Sequence, residues 1–168
     1  MGRKRKGERV DGWLVLDKPA GVSSARAVAI ARRLFNAAKL GHGGTLDPLA
    51  GGVLPLAFGE ATKTVGLVMD GRKSYSFRLR FGTRTSTDDA EGEAVATSDR
   101  RPSDAEITAI LGDFTGTVEQ VPPAHSALKI DGKRAYELAR AGQAVAMKPR
   151  KVEIFALRLV SRSEPDIA

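Results

Sequence analysis

Apolar and polar positions change rhythm several times along the chain. Trp13-Leu14-Val15-Leu16 is an unbroken apolar run, the pattern of a short strand buried on both faces. Asp17-Lys18-Pro19-Ala20-Gly21 closes it with turn chemistry, and Ser23 or Ser24 then supplies a helix N-cap. Val28, Ala31, Leu34, Phe35 and Ala38 recur at helical spacing, with Arg26, Arg32 and Arg33 off the stripe, which predicts a helix ending near Lys39. A second helical stretch leads from Gly59-Glu60-Ala61-Thr62-Lys63 to about Met69. The strictest alternation follows. Tyr75, Phe77, Leu79 and Phe81 take one side and Ser74, Ser76, Arg78 and Arg80 the other, predicting a strand with an apolar, aromatic face and a polar, basic one. Tyr75 opens the apolar face, where a cleft edge and a plain core position both fit it.

Thr83 to Gly92 is polar and reads as a loop. Its Asp88, Asp89 and Glu91 lack the spacing of an oxygen-ligand cation loop. Ser103-Asp104-Ala105-Glu106 is a capping box, and Ile107, Ile110, Leu111 and Phe114 continue it as an amphipathic helix. Thr117 to Val121 reads as a strand stopped by Pro122-Pro123. An Asp131-Gly132 turn precedes a short helix from Lys133 to Arg140, with Gly142 just past its end. Lys151 to Val160 is β-rich. Strands and helices interleave without an internal repeat, so the expected class is α+β, with a mixed, largely antiparallel sheet flanked by helices.

Charge adds a partner. Among 168 residues, Lys and Arg number 27 against 20 Asp and Glu, a net charge of +7. A polyanion, nucleic acid first, is the partner such a balance favours. The absence of cysteine excludes disulfides, thiolate zinc sites and a cysteine nucleophile, and fits a reducing compartment. With only His42 and His125 besides, no metal site is expected. No apolar run has the length of a membrane helix. The basic start (Arg3, Lys4, Arg5, Lys6, Arg9) is not followed by a signal-peptide apolar region and reads as an arm over residues 1–10.

Gly41-His42-Gly43-Gly44-Thr45-Leu46-Asp47-Pro48-Leu49-Ala50-Gly51-Gly52-Val53-Leu54-Pro55 holds one acid among glycines and prolines. Glycine permits close approach of backbone, and Pro48 restricts Asp47 to an extended or turn conformation. A carboxylate so held is either a reagent or an ordinary Asp-Pro turn. Gly59-Glu60-Ala61-Thr62-Lys63-Thr64 lacks the glycine spacing of a phosphate-binding loop, and Gly21-Val22-Ser23-Ser24-Ala25 misses a nucleophile elbow. What remains is a cofactor-free site with one acid, an aromatic and basic surroundings. Such a set suits chemistry on a nucleotide: cations hold phosphates, a ring stacks on an extruded base, and the acid works at the sugar or base.

Val15-Leu16-Asp17-Lys18-Pro19-Ala20-Gly21-Val22-Ser23-Ser24, the Gly41 to Pro55 stretch and Gly59 to Lys63 run in one order with Tyr75, Gly82 to Asp88, Ser126 to Lys129 and Gly132 to Gly142. This series closely resembles the TruB-type tRNA pseudouridine synthases, over about residues 10 to 160. The resemblance implies a pseudouridine synthase-like catalytic domain that isomerises the T-loop uridine of tRNA (tRNA position 55) in the cytoplasm, with no cofactor. It implies Asp47 as the catalytic aspartate, Tyr75 as the contact to the extruded uracil and His42 as an aid to placing the flipped nucleotide. Lys18, with Pro19, is implied as support for the active-site loop within the substrate-binding set, and Lys63 as a basic position near the RNA.

Departures accompany it. Gly43 and Gly51 stand where the family usually has threonine, and His125 where it has tyrosine. The family's later Tyr-Ile-Arg-Thr-like motif, whose arginine pairs with the aspartate, does not occur by Ala168. The expected organisation is thus a catalytic domain over 11–160 that is incomplete at its C-terminal end, a tail over 161–168 and no C-terminal RNA-binding domain. Two functions stand against each other: a tRNA pseudouridine synthase, and a non-catalytic tRNA-binding remnant of one. A glycosidase with paired carboxylates lacks a second acid in a comparably constrained loop. Oligomeric state is not legible.

Overall fold

The structure, a computed structural model, describes residues 7–122, 129–130, 133–134, 147–164 and 167–168. The chain forms two compact units, one up to Tyr75 and one from Ser76 onward.

The first unit is built on a three-stranded antiparallel sheet. Strands β1 (Gly12–Lys18), β2 (Leu40–His42) and β3 (Gly52–Phe58) lie in the order β1-β3-β2, and helix α1 (Ser24–Leu34) covers one face. Register assigns the faces. Leu14 lies opposite Leu56 and Leu16 opposite Leu54, so these four share the helix side with Phe58 and Leu40. Small residues on the helix, Ala27 and Ala31, meet them and let helix and sheet approach closely.

The four-residue apolar run therefore does not mark a strand buried on both faces. Trp13 and Val15 point away from α1, and Val15 is 70% exposed. β1 is an edge strand whose outer face is apolar in sequence but open to solvent.

Helix α1 also ends earlier than Lys39. Asn36 turns to φ 44°, Ala37 N–H bonds Arg32 O at 3.0 Å and Asn36 N–H bonds Arg33 O at 3.2 Å. These paired bonds form a Schellman stop with asparagine in the left-handed position. The inward stripe is Ser24, Ala27 and Ala31 with half-buried Val28, which keeps Val28 and Ala31 of the predicted stripe but starts a turn earlier, and Leu34 faces solvent.

The glycine-rich stretch is shorter as a loop than its composition predicts, because both its ends are strands. Pro55 sits within β3, the central strand, which usually rejects proline. The pairing explains it. Gly43 N–H donates to Pro55 O at 2.8 Å, so Pro55 faces the β2 side, just past the last residue of β2. The reciprocal bond would need an N–H that proline lacks. The ladder stops there, and residues 43–51 leave as the loop.

After β3 a 3-10 turn (Gly59–Lys63) and helix α2 (Val65–Met69) follow as expected. The alternating segment after them does not form the predicted strand. Residues 73–79 carry no ladder among the described residues; Arg80 bridges Ile167, and Leu79 exchanges backbone bonds of 2.7 and 3.0 Å with Ala168.

In the second unit, β4 (Thr83–Thr85) pairs with β5 (Ala94–Thr97), so the polar stretch begins as a strand and not as a loop. Helix α3 (Asp104–Ile110) starts at the predicted capping box, with Ser103 and Glu106 satisfying each other's amides. A 3-10 turn (Leu111–Phe114) leads to β6 (Gly116–Gln120). β7 (Lys129–Ile130) and β8 (Lys133–Arg134) form an antiparallel pair, so Lys133 and Arg134 open a strand where a helix was expected. The Asp131-Gly132 turn, the rest of the expected helix to Arg140, Gly142 and His125 lie outside the described residues. β9 (Arg150–Ile154) pairs with β6, and Arg162 Nη1 reaches Asp104 Oδ1 at 3.0 Å. Helices and antiparallel strands together make an α+β protein, as expected; the isolated Glu8–Ala37 bridge is parallel.

Candidate active site

Asp47 lies in the loop between β2 and β3, with its side chain exposed and Leu46 beside it turned into the core. Alternation across this dipeptide, apolar in and acid out, gives the loop a buried anchor next to its carboxylate. The Asp47 side chain makes no hydrogen bond or ion pair with another described residue.

The backbone on both sides of it is bound to the turn after β1 and the first residue of α1. Gly21 N–H donates to Pro48 O at 2.7 Å. Ser24 Oγ accepts from Leu46 N–H and donates to Leu46 O, both at 2.9 Å. Ala50 N–H closes a turn onto Asp47 O at 3.1 Å. Gly44 adopts φ 131°, which lets the loop leave β2 sharply.

The turn that receives these bonds is itself held from inside. Lys18 is 0% exposed, and its Nζ donates to Val22 O at 2.6 Å and Pro19 O at 3.1 Å. Its place in the substrate-binding set needs correcting. The enclosed amine is committed to two carbonyls of the turn and does not face solvent. Gly51 approaches Lys18 O so closely that an added Cβ would stand 3.3 Å from it, whereas a Cβ at Gly43 would meet Val68 and Pro55 at 3.4 and 3.6 Å. A Cβ is thus the tighter fit at 51, against backbone, than at 43, against side chains.

His42 is the last residue of β2, at the foot of the loop and half-buried. Its Nδ1 contacts Gly44 O. A carbonyl only accepts, so Nδ1 carries the proton and Nε2 is left to accept or donate elsewhere. Lys63 closes the 3-10 turn after β3; it is exposed and paired with Glu60 at 2.5 Å. That bond holds the Glu60 carboxyl below the usual carboxylate range. Tyr75 ends the first unit, 71% exposed and outside any ladder, so the strand expected to present it is not formed.

Sequence reasoning missed the role of Ser24, which it left as one of two alternative caps. Ser23 is the cap: its Oγ accepts Arg26 N–H at 3.2 Å. The signal was the serine pair itself, since one hydroxyl suffices for a helix start. Asp11 was also missed; its Oδ1 accepts Glu60 N–H at 2.7 Å.

Comparison with known proteins gives this geometry its context. Residues 32–168 match the TruB family pseudouridylate synthase (N terminal domain). The tRNA pseudouridine synthase B of Rhodospirillum rubrum is 55% identical over 166 residues, covering 99% of this chain and 54% of that protein. That of Rhodopseudomonas palustris is 57% identical over 164 residues, 97% of this chain and 45% of its own length. The chain thus spans about half the length of the curated relatives it matches. Among solved structures, the crystal structure of a Cbf5-Nop10-Gar1 complex aligns with a TM-score of 0.58 at 25% identity, over 93% of this chain and 37% of that one. A structure of an H/ACA RNP bound to a substrate RNA containing 2'-deoxyuridine aligns with a TM-score of 0.54, also at 25% identity, over 79% of this chain and 41% of that one. The match over residues 32–168, with more than half of the residues shared with the curated relatives, places the chain in the TruB family of pseudouridylate synthases.

Proposed function

We propose that this chain carries the catalytic aspartate of a tRNA pseudouridine synthase, and that its substrate is the T-loop uridine at tRNA position 55, presented by the T-stem loop in the cytoplasm. The observation that supports this most is the Asp47 loop: an exposed carboxylate whose two backbone neighbours are bonded to the start of α1 and to the turn before it.

The reaction breaks the C1'–N1 bond of uridine and forms C1'–C5; the C5 proton leaves and N1 gains one. Substrate and product are isomers, so no electron or group carrier is consumed. The base must leave the stack before its glycosidic bond can be reached. Tyr75 is the ring on which the extruded uracil rests, and His42 presents Nε2 toward the flipped nucleotide. Asp47 acts at the sugar or base, as nucleophile or by taking a proton. Lys63 and the basic surface contact phosphates, which orients the RNA without reading its sequence. Lys18 contributes indirectly, by holding the turn to which the loop is bonded.

The test is pseudouridine formation in an unmodified tRNA transcript, read by carbodiimide mapping or tritium release. The wild-type chain is run beside Asp47→Asn, and a transcript with cytidine at position 55 serves as the site control. Product from the wild type alone, lost with the cytidine transcript, is expected. Binding of tRNA without product in either protein would sink the catalytic reading and leave an RNA-binding remnant.

A further inference from the structure

Ser24 is a buried hydroxyl that the proposed chemistry leaves unused. It is 3% exposed and opens the inward stripe of α1, so it points at the core side of the first unit and not at solvent. Its neighbour Ser23 already caps the helix. Ser24 therefore has no task in the helix that its side chain must perform. Its donor and its acceptor both go to one distant residue, Leu46, at 2.9 Å each.

This arrangement reproduces with a side chain what a strand partner does with a backbone. One hydroxyl holds the N–H and the C=O of the same residue, and that residue directly precedes Asp47. On the far side, Pro48 O is fixed by Gly21 N–H at 2.7 Å. The Asp47 Cα is therefore bracketed by two bonded neighbours, while its carboxylate stays uncommitted and exposed. Of the two brackets, only Ser24 uses a side chain, so only it can be removed by substitution.

We propose that Ser24 is the positioning residue for Asp47: it sets the backbone on which the carboxylate is aimed, without touching the substrate. Its effect on turnover rests on the function proposed above; its effect on the loop does not. Displacement of a reacting group by about an ångström lowers a rate by about 100-fold. Loss of a positioning contact removes transition-state alignment more than ground-state binding, so kcat falls and KM stays.

Two measurements on the whole chain test it, amide hydrogen exchange by NMR and steady-state pseudouridine formation on tRNA. In Ser24→Ala, the Leu46 amide should exchange at least about 10-fold faster, while the Ala27 amide, bonded to Ser23 O at 3.0 Å, stays within about twofold. The same variant should lose roughly 10- to 100-fold in kcat with KM within about twofold. Ser24→Thr keeps the hydroxyl and should return both readouts most of the way. Ser23→Ala removes the cap alone and should move neither Leu46 exchange nor kcat beyond about twofold. Unchanged Leu46 exchange in Ser24→Ala overturns the proposal, as does an equal loss of kcat in Ser23→Ala or a defect confined to KM. Should the wild-type chain form no pseudouridine, the functional reading fails for this chain. Leu46 exchange then still decides whether Ser24 fixes the loop.

Discussion

Asp11 Oδ1 accepts the backbone N–H of Glu60 at 2.7 Å, joining the residue before β1 to the turn after β3. The two strands are antiparallel neighbours, so this bond closes the open end of their ladder. It also dictates the residue at 59. Gly59 has φ 52°, and a Cβ there would collide with Asp11 Oδ1 and stand 2.5 Å from Val10 O. Gly59→Ala is expected to destabilise the chain by about 1–3 kcal/mol, combining left-handed strain with displacement of the Asp11 bond. Urea unfolding followed by Trp13 fluorescence measures it; a cost under about 0.5 kcal/mol would contradict the packing described.

Acid should loosen the same junction. The Asp11 carboxyl is held below its usual range, first by the Glu60 amide and then by Arg9, whose Nε lies 3.0 Å away. Glu60 is lowered by its bond to Lys63, and Glu106 by the Ser103 amide. A carboxyl with a depressed folded pKa contributes stability that is complete above its unfolded value, near pH 4, and is lost as pH falls through the folded one. Thermal midpoints should therefore hold from about pH 7 to pH 5 and fall below about pH 4. Asp11→Asn should make that fall shallower; an unaltered slope would show that the Asp11 bond does not carry it.

The two faces of the sheet should respond unequally to the same truncation. Leu56 is 0% exposed at the centre of β3, and Leu56→Ala is expected to cost about 2–5 kcal/mol. Val15→Ala, on the open face of β1, should cost under about 1 kcal/mol. Denaturant midpoints of the two variants decide it, and similar losses would mean that the outer face is covered in solution.

Lys18→Met keeps the length and apolar body of the side chain and removes its donors. Pro19 O and Val22 O would lose those bonds, at about 0.5–1.5 kcal/mol each. The amide of Gly21 should then exchange faster, because the turn that presents it to Pro48 is no longer held from within. Exchange at Gly21 unchanged in this variant would remove Lys18 from the support of the loop.

How far the sequence could be read depends on whether a signal is local. The capping box at Ser103 was legible in full, because its partners are three residues apart and need nothing else. The stop of α1 at Asn36 was legible in principle, since asparagine tolerates the left-handed region, but apolar spacing through Ala38 drew the prediction onward. Alternation from Ser74 to Phe81 states which face a strand would bury, not whether a neighbour pairs with it, and among the described residues most of it has no ladder. The constraint on the Asp47 loop was visible in its company of glycines and prolines. Its fixation was not, because Ser24 and Leu46 are distant in sequence and meet only when α1 packs on the sheet.

Pro55 gives the hairpin of β2 and β3 a hard stop. Each further residue of β2 that tried to zip onto β3 would have to pass a position where no hydrogen bond can be donated. Strand pairing beyond Gly43 therefore starts with a lost bond, which disfavours drawing residues 44–51 into the ladder. The segment that bears Asp47 stays free to be shaped by the turn after β1, and its length is written into the chain by a missing proton.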